Sequence, residues 1–90
     1  MTDKEILVPL KIDLQISSAQ LDGYLIKLVE TAKQFIGTEG ITLHDDVPDG
    51  MLVEMYAAYL YRRRRENAPM PRALRYALNN RLFSEKARVT

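Results

Sequence analysis

The chain contains no cysteine and a single histidine, His44, among its 90 residues. No disulfide can form, and one imidazole offers almost nothing to a structural zinc site. Ordering a chain costs roughly 1.5 kcal/mol per residue, which burial in so small a domain only about cancels. With disulfides and metal both removed, self-association is the expected source of further stability. The lack of cysteine fits a reducing cytoplasm. No run approaches the roughly 20 apolar residues of a membrane span, so no membrane partner is expected. The start Met1-Thr2-Asp3-Lys4-Glu5 is too acidic for a signal peptide, which points to a protein made and kept inside a cell.

Catalytic patterns are missing as well. Ser17 or Ser18 as a nucleophile would need His44 as its base, and no motif links them. His44-Asp45-Asp46 has adjacent carboxylates rather than a ligand spacing, so a solvated turn is expected and not a metal site. Gly37-Thr38-Glu39-Gly40 has neither the length nor the lysine of a phosphate loop. Asp22, Glu30 and Glu54 are scattered among helical positions with nothing to mark them as an acid pair. The expectation is a protein that is no enzyme and takes no cofactor.

What is present is the composition of an ordinary globular chain, 47% hydrophobic and 28% charged, with no internal repeat or second-domain boundary. One domain over residues 1–90 is expected. The net charge of +1 is unevenly placed. Residues 1–48 hold four lysines against eight acids, a balance of −4, while residues 49–90 hold nine basic groups against four acids, a balance of +5. All eight arginines lie in the second half, where a basic surface could meet phosphate or the acidic surface of another copy.

The apolar pattern predicts an all-α fold, a small bundle of about four helices: a short first helix, two long central ones and a C-terminal one. Thr2 with Glu5 reads as a capping box ahead of Ile6, Leu7 and Leu10. Pro9 sits too deep for a first-turn proline, so this helix is expected to be one or two turns long or to restart after Val8. Ser17 with Gln20 reads as a second capping box, followed by a stripe of Leu21, Leu25, Leu28, Ala32 and Phe35 that Tyr24, Val29 and Ile36 widen. Gly37 and Gly40 supply the stop. The loop that follows has room for one short extended stretch at Ile41-Thr42-Leu43. Asp49 or a near neighbour caps a third helix, the central and most buried one, with Leu52, Met55, Tyr56, Tyr59 and Arg63 on one face and Val53, Ala57, Leu60 and Arg64 on another. Pro71 suits the first position of a fourth helix with Leu74, Ala77, Leu78 and Leu82, Arg81 continuing its pattern. Asn79-Asn80 is expected to break it early and leave 81–90 as a short extension or mobile tail.

The run Arg62-Arg63-Arg64-Arg65 is the most conspicuous local feature. At 100° per residue it wraps about 300° around a helix, so it cannot form one flat basic stripe. Three readings stand: a solvated helix C-terminus favoured by the dipole, a protein interface, and direct phosphate contact. Tyr56, Tyr59, Tyr61 and Tyr76 cluster in the same half. Tyr61 falls off the main apolar face beside the arginines and is the better interface candidate. The candidate subunit or partner interface is therefore Tyr61, Arg62, Arg63, Arg64, Arg65, Arg72 and Arg75.

The order of elements, with its local residues, resembles the small head-tail connector or adaptor proteins of tailed bacteriophages. The resemblance covers most of the chain. It rests on Leu10-Lys11-Ile12-Asp13 ending the first helix, on Leu21-Asp22-Gly23-Tyr24-Leu25-Ile26-Lys27-Leu28-Val29-Glu30-Thr31-Ala32 in the second, and on the loop at Val47-Pro48-Asp49. It continues through Tyr59-Leu60-Tyr61-Arg62-Arg63-Arg64-Arg65-Glu66 and through Met70-Pro71 before a last helix with Leu78 and Arg81. The chain departs from the pattern in its compact middle loop and in its arginines after Tyr61. The resemblance implies a homo-oligomeric ring beneath the portal, with portal and tail-completion proteins as partners and DNA passing through without sequence-specific binding. It also implies assembly in the host cytoplasm and a final place at the head-tail junction of the virion of a phage or prophage. An acidic half and a basic half fit this independently, because head-to-tail contacts between copies can close into rings. A small helical DNA-binding regulator using the Arg62-Arg65 region is the alternative, and an unrelated interaction module is a third reading.

Overall fold

The computed structural model describes the backbone of residues 1–89 and the side chains of residues 1–87. Four helices follow one another: α1 (Asp3–Leu14), α2 (Asp22–Thr38), α3 (Val47–Glu66) and α4 (Arg72–Val89). There is no strand among the described residues. Helix α3 is the centre, packing on α1, α2 and α4, while α1 and α2 also pack on each other. The resulting body measures 46 × 27 × 18 Å.

The capping box of α1 forms as its sequence predicts. The Glu5 backbone N–H donates to Thr2 Oγ1 at 3.2 Å, and the Thr2 N–H donates to Glu5 Oε1 at 3.1 Å. Pro9 does not divide the helix: α1 is continuous over twelve residues, with the proline inside it. Its missing N–H leaves the Glu5 carbonyl without a helical donor, and both residues are exposed, so water can satisfy that carbonyl. Ile6 and Leu10 anchor the opposite side in the core. Burying such side chains contributes about 1.5–3 kcal/mol each, enough to hold the helix across its proline. Gln15 ends α1 in the left-handed region at φ 59°.

Helix α2 starts later than the Ser17–Gln20 pattern predicts. Leu21 is its N-cap and makes no side-chain capping bond, while residues 17–20 run through a turn in which the Asp22 N–H donates to the Ala19 carbonyl at 3.2 Å. An ion pair from Lys11 Nζ to Asp22 Oδ1, 2.7 Å, ties that start to α1. The buried face is also turned relative to the expected stripe. Leu25, Val29, Ala32 and Ile36 are fully buried, and Phe35 is exposed at the edge, where its ring meets Tyr56 at 6.1 Å between centroids. The apolar arc is wider than the core contact, and that contact takes one flank of it.

Gly37 lies inside the last turn of α2, and Gly40 makes the stop at φ 99°, where a Cβ would meet Leu82 Cδ1 at 3.3 Å. Residues 41–43 form neither helix nor strand, and Ile41 drops into the core. Asp46 rather than Asp49 caps α3, accepting from the Asp49 N–H at 2.9 Å, with Pro48 in the first turn. Leu52, Val53, Tyr56, Ala57 and Ala58 bury the first half of α3. Pro71 precedes α4 and its carbonyl accepts the Arg75 N–H at 3.1 Å, one position earlier than expected.

The expected break at Asn79-Asn80 does not occur. Both asparagines sit exposed on a helix that continues to Val89, so 81–89 is helical and not a tail; Thr90 lies outside the described residues. Leu74 and Leu78 are buried ahead of the asparagines, and Arg81 is fixed beyond them, so the core side of α4 stays occupied across the pair. Replacing Pro9 with alanine restores a helical donor to the Glu5 carbonyl. Pro9→Ala is therefore expected to raise unfolding stability by about 1–3 kcal/mol in urea titration with helicity unchanged; a drop would mean that the proline ring's own contacts outweigh the recovered bond.

Candidate functional site

The candidate arginines do not project together. Arg62 turns to α1, its Nη2 lying 3.2 Å from Asp13 Oδ1 and 3.4 Å from the Asp13 carbonyl. Arg64 lies over the Tyr24 ring, 5.7 Å from the centroid. Arg65 lies over the Tyr61 ring at 5.4 Å, and its Nη1 donates to the Tyr61 hydroxyl at 2.8 Å. Arg75 pairs with Glu39 at 3.0 Å. Arg63 and Arg72 are exposed and have no ion pair among the described residues. The helical wheel thus spreads the run in three directions, as its 300° arc requires.

Tyr61 is half-buried, not a free interface ring. It packs against the core, with its ring 6.5 Å from that of Tyr24 and tilted 53° to it. The two tyrosines form an aromatic seam between α2 and α3, and Arg64 and Arg65 close its outer side. Cation–π contacts at such sites contribute about 0.5–1 kcal/mol each, so these two arginines are partly structural. The exposed rings in this half are Tyr76 and Phe83 on α4.

The charged centre that the sequence reading missed is Arg81. Its Nε is 2.9 Å from Asp49 Oδ1 and its Nη2 is 3.2 Å from Asp49 Oδ2, a forked contact with a side chain only 3% exposed. Arg81 also donates to Glu85 Oε2 at 2.8 Å and to the Thr42 carbonyl at 2.6 Å. The His44 N–H donates to Asp49 Oδ2 at 2.7 Å. Burial alone would raise the Asp49 carboxyl, but the Arg81 hydrogen bonds, the His44 N–H and the arginine's charge outweigh it and hold the group below its usual range. A signal for this was present: Arg81 falls three residues after Leu78 and seven after Leu74, on the core side of α4.

Comparison with protein-family models, with curated proteins and with solved structures found no match.

Among the described residues no group of three or more His, Cys, Asp or Glu side chains is placed to hold a metal ion, and no helix is long and apolar enough to cross a membrane. The Glu54 carboxyl is shifted in the opposite direction to that of Asp49. Burial first, and then the neighbouring Asp13 carboxyl, push Glu54 up to about 7, while Arg62 pulls the other way. Its Oε2 atom is buried without a hydrogen-bond partner. The Asp13, Glu54 and Arg62 side chains thus link α1 to α3 through two acids and one base, an arrangement that favours a proton held by the acid pair.

Two expectations follow. Arg81→Leu leaves a buried, unpaired Asp49 and should cost about 3–5 kcal/mol at neutral pH in urea titration. Adding Asp49→Leu should recover at least half of that loss, and a double change no better than the single one would show that the charge pairing was not the cause. In the case of Glu54, the folded carboxyl sits near 7 against an ordinary 4.5, so the native state holds a proton that the unfolded chain gives up. Its stabilising effect is full below 4.5 and is lost as pH rises through 7. Glu54→Gln should therefore flatten the fall in melting temperature across that window, and an unchanged slope would place the titration elsewhere.

Proposed function

We propose that this chain is a structural subunit of a tailed phage or prophage, a head-tail connector that oligomerises into a ring joining portal to tail and letting DNA pass. The observation that carries the reading is the separation of unlike surfaces on one folded chain. Glu5, Asp45 and Asp46 gather around the start of α3, while the outer side of α4 carries Arg72 and Lys86. Surfaces of opposite sign at different places on one chain favour head-to-tail contact, which closes into rings when the rotation between copies allows. The resemblance in element order supports the same reading. Partners on this view are further copies of the chain, the portal and tail-completion proteins, with DNA in the central hole.

The alternative, a DNA-binding regulator, needs a basic face free for phosphate. Arg62, Arg64 and Arg65 are taken up by Asp13, Tyr24 and Tyr61, which weakens it. The turn from α3 to α4 holds Pro69 and Pro71, and eight residues separate α2 from α3, so neither junction is the short turn of a helix-turn-helix.

Light scattering after gel filtration over a concentration series, with duplex DNA titrated at two salt concentrations, tests the reading. The connector is expected to associate beyond a dimer and to bind duplex only in the non-specific range, about 10⁻⁴ to 10⁻⁶ M. Tight, sequence-dependent duplex binding by a monomer or dimer, with steep salt dependence, would replace it with the regulator.

A further inference from the structure

A groove of about 430 Å³ runs between α1 and the first turns of α3. Its apolar wall includes Pro9, Val47 and Met51, of which Val47 is 75% and Met51 61% exposed, far more than large apolar side chains covered by their own fold. On the helical wheel Val8 and Ile12, both exposed, lie beside Glu5 and Pro9 and extend this apolar strip along α1. The rim is acidic: Glu5, Asp45 and Asp46 line it against one cation, the Met1 ammonium paired with Asp45.

The complement to this groove is on the same chain. Arg72, Tyr76, Asn79, Phe83 and Lys86 recur at spacings of four, three, four and three, one face of α4. Tyr76 is 68% and Phe83 76% exposed. The charges on this face are positive only, because Glu85 is turned to the other side and held by Arg81. Leu74, Leu78 and Arg81 direct the opposite side of α4 onto the body of its own chain, so the stripe points away and cannot reach its own groove. An aromatic, basic helix face and an apolar, acid-rimmed groove match in shape class and in sign.

We propose that α4 of one copy lies in the α1/α3 groove of the next, with Tyr76 and Phe83 on Pro9, Val47 and Met51, and Arg72 and Lys86 facing the acidic rim. The contact is heterologous: one copy spends its stripe and keeps its groove, the other spends its groove and keeps its stripe, so the pair can take a further neighbour at each end. It rests on the ring reading and names the surfaces that would make the ring.

The test uses the full chain and two variants at exposed positions, Phe83→Asp on the stripe and Met51→Lys in the groove. Far-UV circular dichroism checks their helicity; Tyr76→Glu and Val47→Lys stand in for either variant that loses it. Each variant alone is expected to weaken self-association by about 30-fold or more, read by light scattering up to about 1 mM chain. Mixed one to one, they should form a heterodimer that goes no further, because Phe83→Asp still offers a groove and Met51→Lys still offers a stripe. If the parent chain assembles and both variants assemble equally well, the ring stands and this interface falls. A mixture that stays monomeric overturns the pairing of stripe with groove, and homodimers of either variant alone overturn it too, since a face would then be pairing with its own kind. A parent chain that is monomeric at the highest concentration overturns the interface whatever the DNA titration gives, whereas tight duplex binding is what removes the connector reading itself.

Discussion

The forked contact between Arg81 and Asp49 joins parts of the chain that little else would hold together. Asp49 stands at the start of α3, and Arg81 reaches it from the middle of α4. The same guanidinium takes the Thr42 carbonyl, and the same carboxylate takes the His44 N–H, so the segment between α2 and α3 is fastened at both ends of one ion pair. Among the described residues of α4, Leu74 and Leu78 are fully in the core and Ala77 and Leu82 pack against it, a short apolar contact that leaves the helix some freedom to slide or roll. The fork sets its register. A buried pair of this kind adds little net stability over an apolar replacement, because desolvating two charges offsets most of their attraction. What it adds here is position, since any other placement of α4 would strand a carboxylate that is almost wholly shielded from water.

That placement determines the outer surface. With Arg81 and Glu85 turned inward, the far side of α4 is left with cations, asparagines and two exposed aromatic rings. At the other side of the molecule, the close approach of α1 to α3, where a Cβ on Gly50 would lie 3.6 Å from Ile6, leaves the first turns of both helices as the walls of the acidic groove. The arginine run after Tyr61 serves the body as much as its surface. Arg62 balances the Asp13 and Glu54 carboxyls, and Arg64 and Arg65 cover the Tyr24–Tyr61 seam. Charge that looks concentrated along the sequence is dispersed in space, and the charge that is gathered in space comes from residues far apart in the sequence.

Local patterns carried the helix order and most of its ends because these depend on neighbours three or four residues away. Thr2 with Glu5 is a bond between adjacent turns, and Gly40 is a backbone conformation, so both were legible. The failures share one cause. Pro9, Ser17 with Gln20, and Asn79-Asn80 each carry a local preference of about 1–3 kcal/mol at most, and each was overridden by contacts from elsewhere in the chain. Ile6 and Leu10 hold α1 through its proline, Lys11 fixes the start of α2 at Asp22, and Leu78 with Arg81 carries α4 past its asparagines. Tyr61 leaves the main stripe of α3, and α2 supplies a second neighbour there in Tyr24, a contact that periodicity within α3 does not carry.

The sequence by itself determined the all-helical class, the division of charge between the halves, and the absence of thiols, because these are properties of composition and of periodicity within one helix. Only the tertiary structure decided which charges are spent inside the body and which face out. Arg81 and Arg72 are the same residue type nine positions apart on one helix. One is held by a buried carboxylate and the other stands in solvent, because α3 lies along one side of α4 and the described residues leave the other side uncovered.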